Sequence, residues 1–212
     1  MKREKPLPGR LGSRIGLWIG IALICGPFPA TRSHAHPHVF IVQRLAAEFD
    51  ADGLAGIRVR WRFDEMFSSL IAEDHDRNRN GILEPSEVRG IEEQAFSFIS
   101  EYGYFLSIAI DGTPFPVTRV TDFDAILENG RLSYEFFVPC PVPAGRRTVR
   151  VTVGTYDPTY YSAIFFAKHD PVSLSGDEGF EVNAAVREDL STKIYFDMIH
   201  PWALFLEFRR KP

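Results

Sequence analysis

The stretch Ile57-Arg58-Val59-Arg60-Trp61-Arg62-Phe63 sets the fold class. Every second residue is large and apolar, and the three between them are arginines. Side chains of a β-strand point alternately to its two faces, so this segment has one dry face and one wet face. The alternation recurs on both sides of it. Leu45, Ala47 and Phe49 alternate up to the turn Asp50-Ala51-Asp52-Gly53. Leu106, Ile108 and Ile110 run into Asp111-Gly112, and Val149, Val151 and Val153 alternate with Thr148, Arg150 and Thr152. Leu132, Tyr134, Phe136 and Val138 follow Asn129-Gly130, a dipeptide that takes positive φ readily and so closes a two-residue hairpin. Phe180, Val182, Ala184 and Val186 mark a last strand. Turn signals at this spacing predict a mainly β, sandwich-like domain.

One region changes period. Phe63, Met66, Phe67, Leu70 and Ile71 recur at helical spacing, and so do Val88, Ile91, Ala95, Phe98 and Ile99. Both stripes are expected to face the core. The architecture is therefore α+β overall, a β-sandwich with a helix–loop–helix of the EF-hand type inserted at about residues 64–102.

The loop between the two helical patterns is Asp76-Arg77-Asn78-Arg79-Asn80-Gly81-Ile82-Leu83-Glu84-Pro85-Ser86-Glu87. It fits the twelve-residue calcium pattern, because calcium is a hard cation that takes six to eight oxygens. Asp76, Asn78 and Asn80 sit at alternate positions and aim side-chain oxygens at one centre. Gly81 takes a sharp turn that a Cβ would obstruct. Ile82 offers its carbonyl, Leu83 pins the loop to the core, Glu84 contributes directly or through water, and Glu87 closes the site with two oxygens. Pro85 suits the start of the next helix. Asn at two ligand positions, with Arg77 and Arg79 beside them, lowers the negative charge around the ion. Affinity is then expected at about 0.1–1 mM, as in extracellular modules. An acidic surface loop is the plain alternative.

The first 35 residues read as a secretory signal peptide rather than as part of the fold. Lys2, Arg3, Lys5, Arg10 and Arg14 precede an apolar run from Ile15 to Ile24. Gly26, Pro27 and Pro29 follow, then small residues up to Ala35. The run is shorter than the roughly 20 residues that a bilayer crossing takes. Cleavage after Ala35 would leave residues 36–212 as a single periplasmic domain with no membrane span. Residues 1–35 hold six of the 24 basic residues and one of the 28 acidic ones. The processed chain thus has 18 basic against 27 acidic residues, a formal net charge of −9. Such a surface repels nucleic acid and tolerates cations. Cys140 is the one cysteine left, so no internal disulfide forms.

His34, His36 and His38 alternate across the expected cleavage point. Processing would make His36 the amino terminus, where its amine and imidazole, with His38 nearby, suit a borderline divalent metal such as zinc, nickel or copper. A leader junction with incidental histidines would look the same. Asp157, His169 and Asp170 become further ligands if the fold brings them to this terminus.

Three segments together resemble a known family. They are His34-Ala35-His36-Pro37-His38-Val39-Phe40, then Phe63-Asp64-Glu65-Met66-Phe67-Ser68 leading into the loop, then Tyr156-Asp157-Pro158-Thr159-Tyr160-Tyr161. They are similar to the bacterial periplasmic family named domain of unknown function 1007. That resemblance implies a periplasmic component linked to zinc, nickel or cobalt transport beside a membrane metal permease. It would make His36 and His38 the metal-handling start of the chain. The leading expectation is thus an accessory protein for divalent transition-metal transport with a structural calcium loop. The alternative is a calcium-stabilised β-sandwich module that binds a protein or glycan. No Gly-x-Ser-x-Gly elbow, His-Glu-x-x-His helix or phosphate loop is present, so no enzyme activity is expected.

Overall fold

A computed structural model describes residues 37–212. Two sheets form its frame. The first contains β1 (Val39–Phe49), β2 (Gly53–Phe63), β5 (Thr121–Glu128), β6 (Arg131–Pro143), β8 (Ser162–Phe166) and β9 (Val172–Ser175), in the order β5-β6-β2-β1-β8 with β9 also on β1. The second contains β3 (Leu106–Ile110), β4 (Thr113–Phe115), β7 (Val149–Thr155), β10 (Phe180–Glu188) and β11 (Trp202–Arg210), in the order β10-β11-β7-β3-β4.

On β2 and β6 the alternating residues face inward as their period requires, whereas on β10 Phe180 is buried but Ala184 is exposed. Ile57, Val59, Trp61 and Phe63 on β2, and Leu132, Tyr134, Phe136 and Val138 on β6, are all buried. They share one core cluster with Val151, Val153, Leu204, Leu206 and Phe208 of the other sheet. The Phe49 ring touches Phe180 and Phe208 across the gap, each at 5.2 Å between centroids. Each fully buried side chain of this kind contributes about 1.5–3 kcal/mol. Asn129 and Gly130 take φ of 50° and 73° and close the β5–β6 hairpin, as their identity predicts. Gly56 marks a bulge where β2 approaches β6, and a Cβ there would lie 2.3 Å from the Val138 carbonyl oxygen.

Strands β8 and β9 were not evident in the sequence. Both run parallel to β1, and they form one interrupted edge along it. The Ala167 N–H donates to the Gln43 carbonyl, and the Leu45 N–H donates to the Pro171 carbonyl. The three residues between, Lys168-His169-Asp170, loop outward and are exposed.

Between β2 and β3 the chain leaves the sheets. Helix α1 spans Glu65–His75 and helix α2 spans Pro85–Ile91. Asp64 caps α1, its Oδ1 accepting from the Phe67 N–H at 2.9 Å. Its Oδ2 accepts from the Phe40 N–H at 2.7 Å, which ties the helix start to β1. The inward face of α1 is narrower than its apolar stripe predicts. Ser68 and Ile71 are buried, whereas Met66 and Leu70 are more than half exposed. Ser68 faces inward because its hydroxyl accepts the Leu132 N–H and donates to the Asp64 carbonyl.

After α2 the helix loosens into a π turn over Glu92–Phe96, then a 3₁₀ turn from Ser97 that ends in a kink at Tyr102–Tyr104. The π turn advances the phase, since five residues rather than four then separate stacked positions. Phe96 turns inward as a result, and Phe98, expected inside, is 68% exposed.

Candidate functional site

The Asp76–Glu87 loop closes on itself through its own side chains. Asp76 Oδ2 accepts from the Gly81 N–H at 2.9 Å, and Asp76 Oδ1 accepts from the Asn80 N–H at 3.1 Å. Asn78 Oδ1 also accepts from the Asn80 N–H, and Asn80 Oδ1 accepts from the Ile82 N–H. Glu87 Oε1 reaches back to the Arg77 N–H at 2.8 Å, and its Oε2 takes the Glu84 N–H at 3.0 Å. The amides of Asn78 and Asn80 both donate to Glu84 Oε1. These contacts draw Asp76, Asn78, Asn80, Glu84 and Glu87 together.

The local conformation follows from residue type. Arg79 and Gly81 take positive φ of 58° and 78°, which folds the loop back within a few residues. Pro85 begins α2, and Glu84 and Glu87 form a reciprocal capping box there. Leu83 packs against the core. Asp76 and Glu87 are buried, while Asn78 and Asn80 are exposed. A hydrogen bond with the Glu87 carboxyl, then those from Asn78 and Asn80, pulls the Glu84 carboxyl down to about 2. Every side-chain donor here is an oxygen, a set suited to a hard cation and poor for zinc or nickel.

A second feature lies where the helical insertion meets the first sheet. A cavity of about 270 Å³ is floored by Val39, Ile41, Trp61, Phe63 and Tyr134. Phe67, Phe96, Ile99, Tyr102 and Phe105 cover it, and Asp157, Thr159 and Ser162 form a polar side. The indole N–H of Trp61 and the hydroxyl of Tyr134 are buried and lack a hydrogen-bond partner. Burial pushes the Tyr134 hydroxyl above its usual range. The sequence reading took Trp61 and Tyr134 only as core residues. The available signal was that polar-tipped side chains occupy the dry face of adjacent strands.

The family model described as "Protein of unknown function (DUF1007)" matches residues 21–191. The chain belongs to the DUF1007 family. It is 29% identical over 133 residues to "Uncharacterized 15.5 kDa protein in trpE 3'region" of Spirochaeta aurantia, covering 63% of this chain and 94% of that one. It is 26% identical over 155 residues to an "Uncharacterized protein" of Haemophilus influenzae, covering 73% of this chain and 74% of that one.

The described residues brought forward for a transition metal fall in two places, His38 with Asp157 and His169 with Asp170. His36 and the 1–35 leader fall outside the described residues. His38 is half-buried at the start of β1, where its N–H donates to the Tyr161 carbonyl and its ring lies 5.0 Å from the Tyr161 ring. Asp157 is 3% exposed, with Oδ1 taking the N–H and hydroxyl of Thr159 and Oδ2 taking the Ser162 N–H. These bonds hold the Tyr156–Tyr161 turn beside His38. His169 and Asp170 stand on the outward loop beside Gln43 and Leu45. Six strand positions, from His38 to Arg44, separate them from His38, about 20 Å at 3.3 Å per residue. Among the described residues no three His, Cys, Asp or Glu side chains are placed to hold one metal ion. That holds for Asp76, Glu84 and Glu87 of the loop as well. His200 Nδ1 lies 2.8 Å from the Thr192 carbonyl oxygen, a structural contact. The Cys140 thiol is pushed up to about 11 by burial, which leaves it a poor nucleophile and ligand. No described helix is long and apolar enough to cross a membrane.

Proposed function

We propose that this chain is an exported, calcium-stabilised β-sandwich that acts by binding a partner rather than by catalysis. The supporting observation is the inward closure of five oxygen-bearing side chains around the Gly81 turn, between two helices fixed to the sandwich. Asp76, Asn78, Asn80, Glu84, Glu87 and the Ile82 carbonyl would hold the ion. Calcium there would neutralise the facing carboxylates of Glu84 and Glu87 and fix α1 against α2. Thermal melts with millimolar calcium and with chelator test this reading, and an unchanged melting temperature removes it. Glu87→Gln should abolish the calcium-dependent shift.

The second reading is an accessory role in zinc, nickel or cobalt transport beside a membrane permease. His38 favours it, because its imidazole stands at the start of the domain, two residues from His36. Affinity for Zn²⁺ or Ni²⁺ should fall on acidification, because neutral imidazole is the form that binds the metal. Calorimetric titration of the processed protein, repeated with His36→Ala and His38→Ala, decides between the readings. Parent-like binding in both variants leaves the binding module alone in place.

A further inference from the structure

Strand β10 lies at one side of the second sheet, and its outer edge pairs with no described strand. Its ladder with β11 runs from Phe180↔Arg210 to Glu188↔Trp202 without a bulge. The nine residues hold no proline, and the inward positions Phe180, Val182, Ala184 and Val186 carry no charge. Natural sheets blunt such edges with bulges, prolines or inward charges, because a long regular edge is a template for another strand.

The phase of the ladder fixes which backbone groups are free. The Asp189 N–H donates to the Pro201 carbonyl and the Lys211 N–H to the Gly179 carbonyl, whereas the Arg210 N–H turns away to Gly145. Odd-numbered residues of β10 therefore bond β11, and the N–H and C=O groups of Val182, Ala184 and Val186 point to the outer edge. The side chains of these three are also incompletely covered, Val182 and Val186 being half-buried and Ala184 exposed.

The strand is complementary to itself when reversed about Ala184. Ala184 then faces Ala184, Val182 faces Val186, and Glu181 faces Arg187. The valine pairs fall at positions whose backbone groups point outward, so the ladder bonds and the apolar contacts coincide. The two Glu181–Arg187 pairs fall on the opposite face, where opposite charges directly across a ladder attract. Arg187 lies over the Phe205 ring at 3.6 Å, with no carboxylate within salt-bridge distance among the described residues. Arg209 holds Glu181 on the same face at 2.6 Å. A register centred on Ala185 instead would set Glu181 against Asp189, two like charges.

We propose that β10 pairs antiparallel with β10 of a second copy, joining the two five-stranded sheets into one continuous sheet across a two-fold axis. A second copy is the partner because it supplies the acid and the base at the spacing that this strand itself sets. The assignment depends neither on the calcium loop nor on the histidines at the start of the domain.

The test is sedimentation of the purified processed protein over a dilution series, with amide hydrogen exchange on the same samples. The parent should pass from dimer to monomer on dilution, and the Val182, Ala184 and Val186 amides should lose protection in step. Arg187→Glu and Glu181→Arg each turn two attractive pairs into two repulsive ones, and each should weaken the dimer by about tenfold or more. The double variant Glu181→Arg/Arg187→Glu restores both pairs with their signs reversed and should recover most of that loss. All three changes are at exposed positions, and circular dichroism checks that each variant is folded. A parent that stays monomeric at every soluble concentration leaves the edge to a strand of another protein and overturns the proposal. So does a dimer that either single variant leaves intact, a double variant that recovers nothing, or a dimer in which the three amides stay unprotected.

Discussion

The loop at Asp76–Glu87 and the row Gln43–Trp61–Tyr134 spend polar atoms in opposite ways. In the loop, the side-chain oxygens of Asp76, Asn78, Asn80, Glu84 and Glu87 meet local backbone or side-chain donors. Its partners lie within eleven residues, and several of its groups touch water. In the row, the partners in space come from three strands, the groups are buried, and their polar ends are unmatched. A self-satisfied surface loop holds its shape without help from the core. A buried unmatched row persists only because the surrounding apolar packing offsets its cost. The loop is the place where the proposed ion would add stability, and the row is a place where the fold carries a cost.

The largest effect should come from cutting the packing that supports the row. Phe96 stacks on Phe123 at 4.3 Å and meets Tyr134 and Phe136 edge-on or tilted. Phe96→Ala should destabilise the protein by about 3–5 kcal/mol, read as a fall in denaturant midpoint at constant slope. A loss under about 1 kcal/mol would mean that the cover is not part of the core. The loop should answer to calcium on a smaller scale. Calcium at tenfold over Kd should add about 1.4 kcal/mol to the parent and nothing to Glu87→Gln, by melts at matched ionic strength.

The row should show the opposite sign. Tyr134→Phe should stabilise the protein by about 1 kcal/mol, since the variant keeps the ring and drops the unmatched hydroxyl. A loss of stability would reveal a partner for that hydroxyl and erase the contrast with the loop.

A further effect concerns alkaline pH. Burial raises the Tyr134 hydroxyl above its ordinary 10.0 and the Cys140 thiol from 9.0 to about 11. The unfolded chain gives up these protons first, so stability is full below about pH 9 and falls as pH rises through about 11. Denaturant midpoints between pH 8 and 11 should decline, and less steeply in Tyr134→Phe.

Much of the sandwich was legible because burial of one strand face imposes a period of two on the residues themselves. Ile57–Phe63 and Leu132–Val138 announce their inner faces without any knowledge of neighbours. The β5–β6 turn was legible for the same local reason, since Asn129-Gly130 accepts positive φ. The turn of the Asp76–Glu87 loop was legible too, since Gly81 and Pro85 mark it within twelve consecutive residues. Strands β8 and β9 were hidden because they are short and owe their conformation to hydrogen bonds from β1. The inward turn of Phe96 was hidden because a π turn shifts the helical phase by one residue, a change that packing selects.

What the sequence determined alone was local: the strand period, the turns and the helix start at Pro85. What only the tertiary structure decided was which distant residues share a space. It set His38 beside the Asp157 turn and His169 about 20 Å away. It also brought Gln43, Trp61 and Tyr134 into one row under an aromatic cover. Register across strands places such residues together, and register depends on the whole core rather than on any one segment.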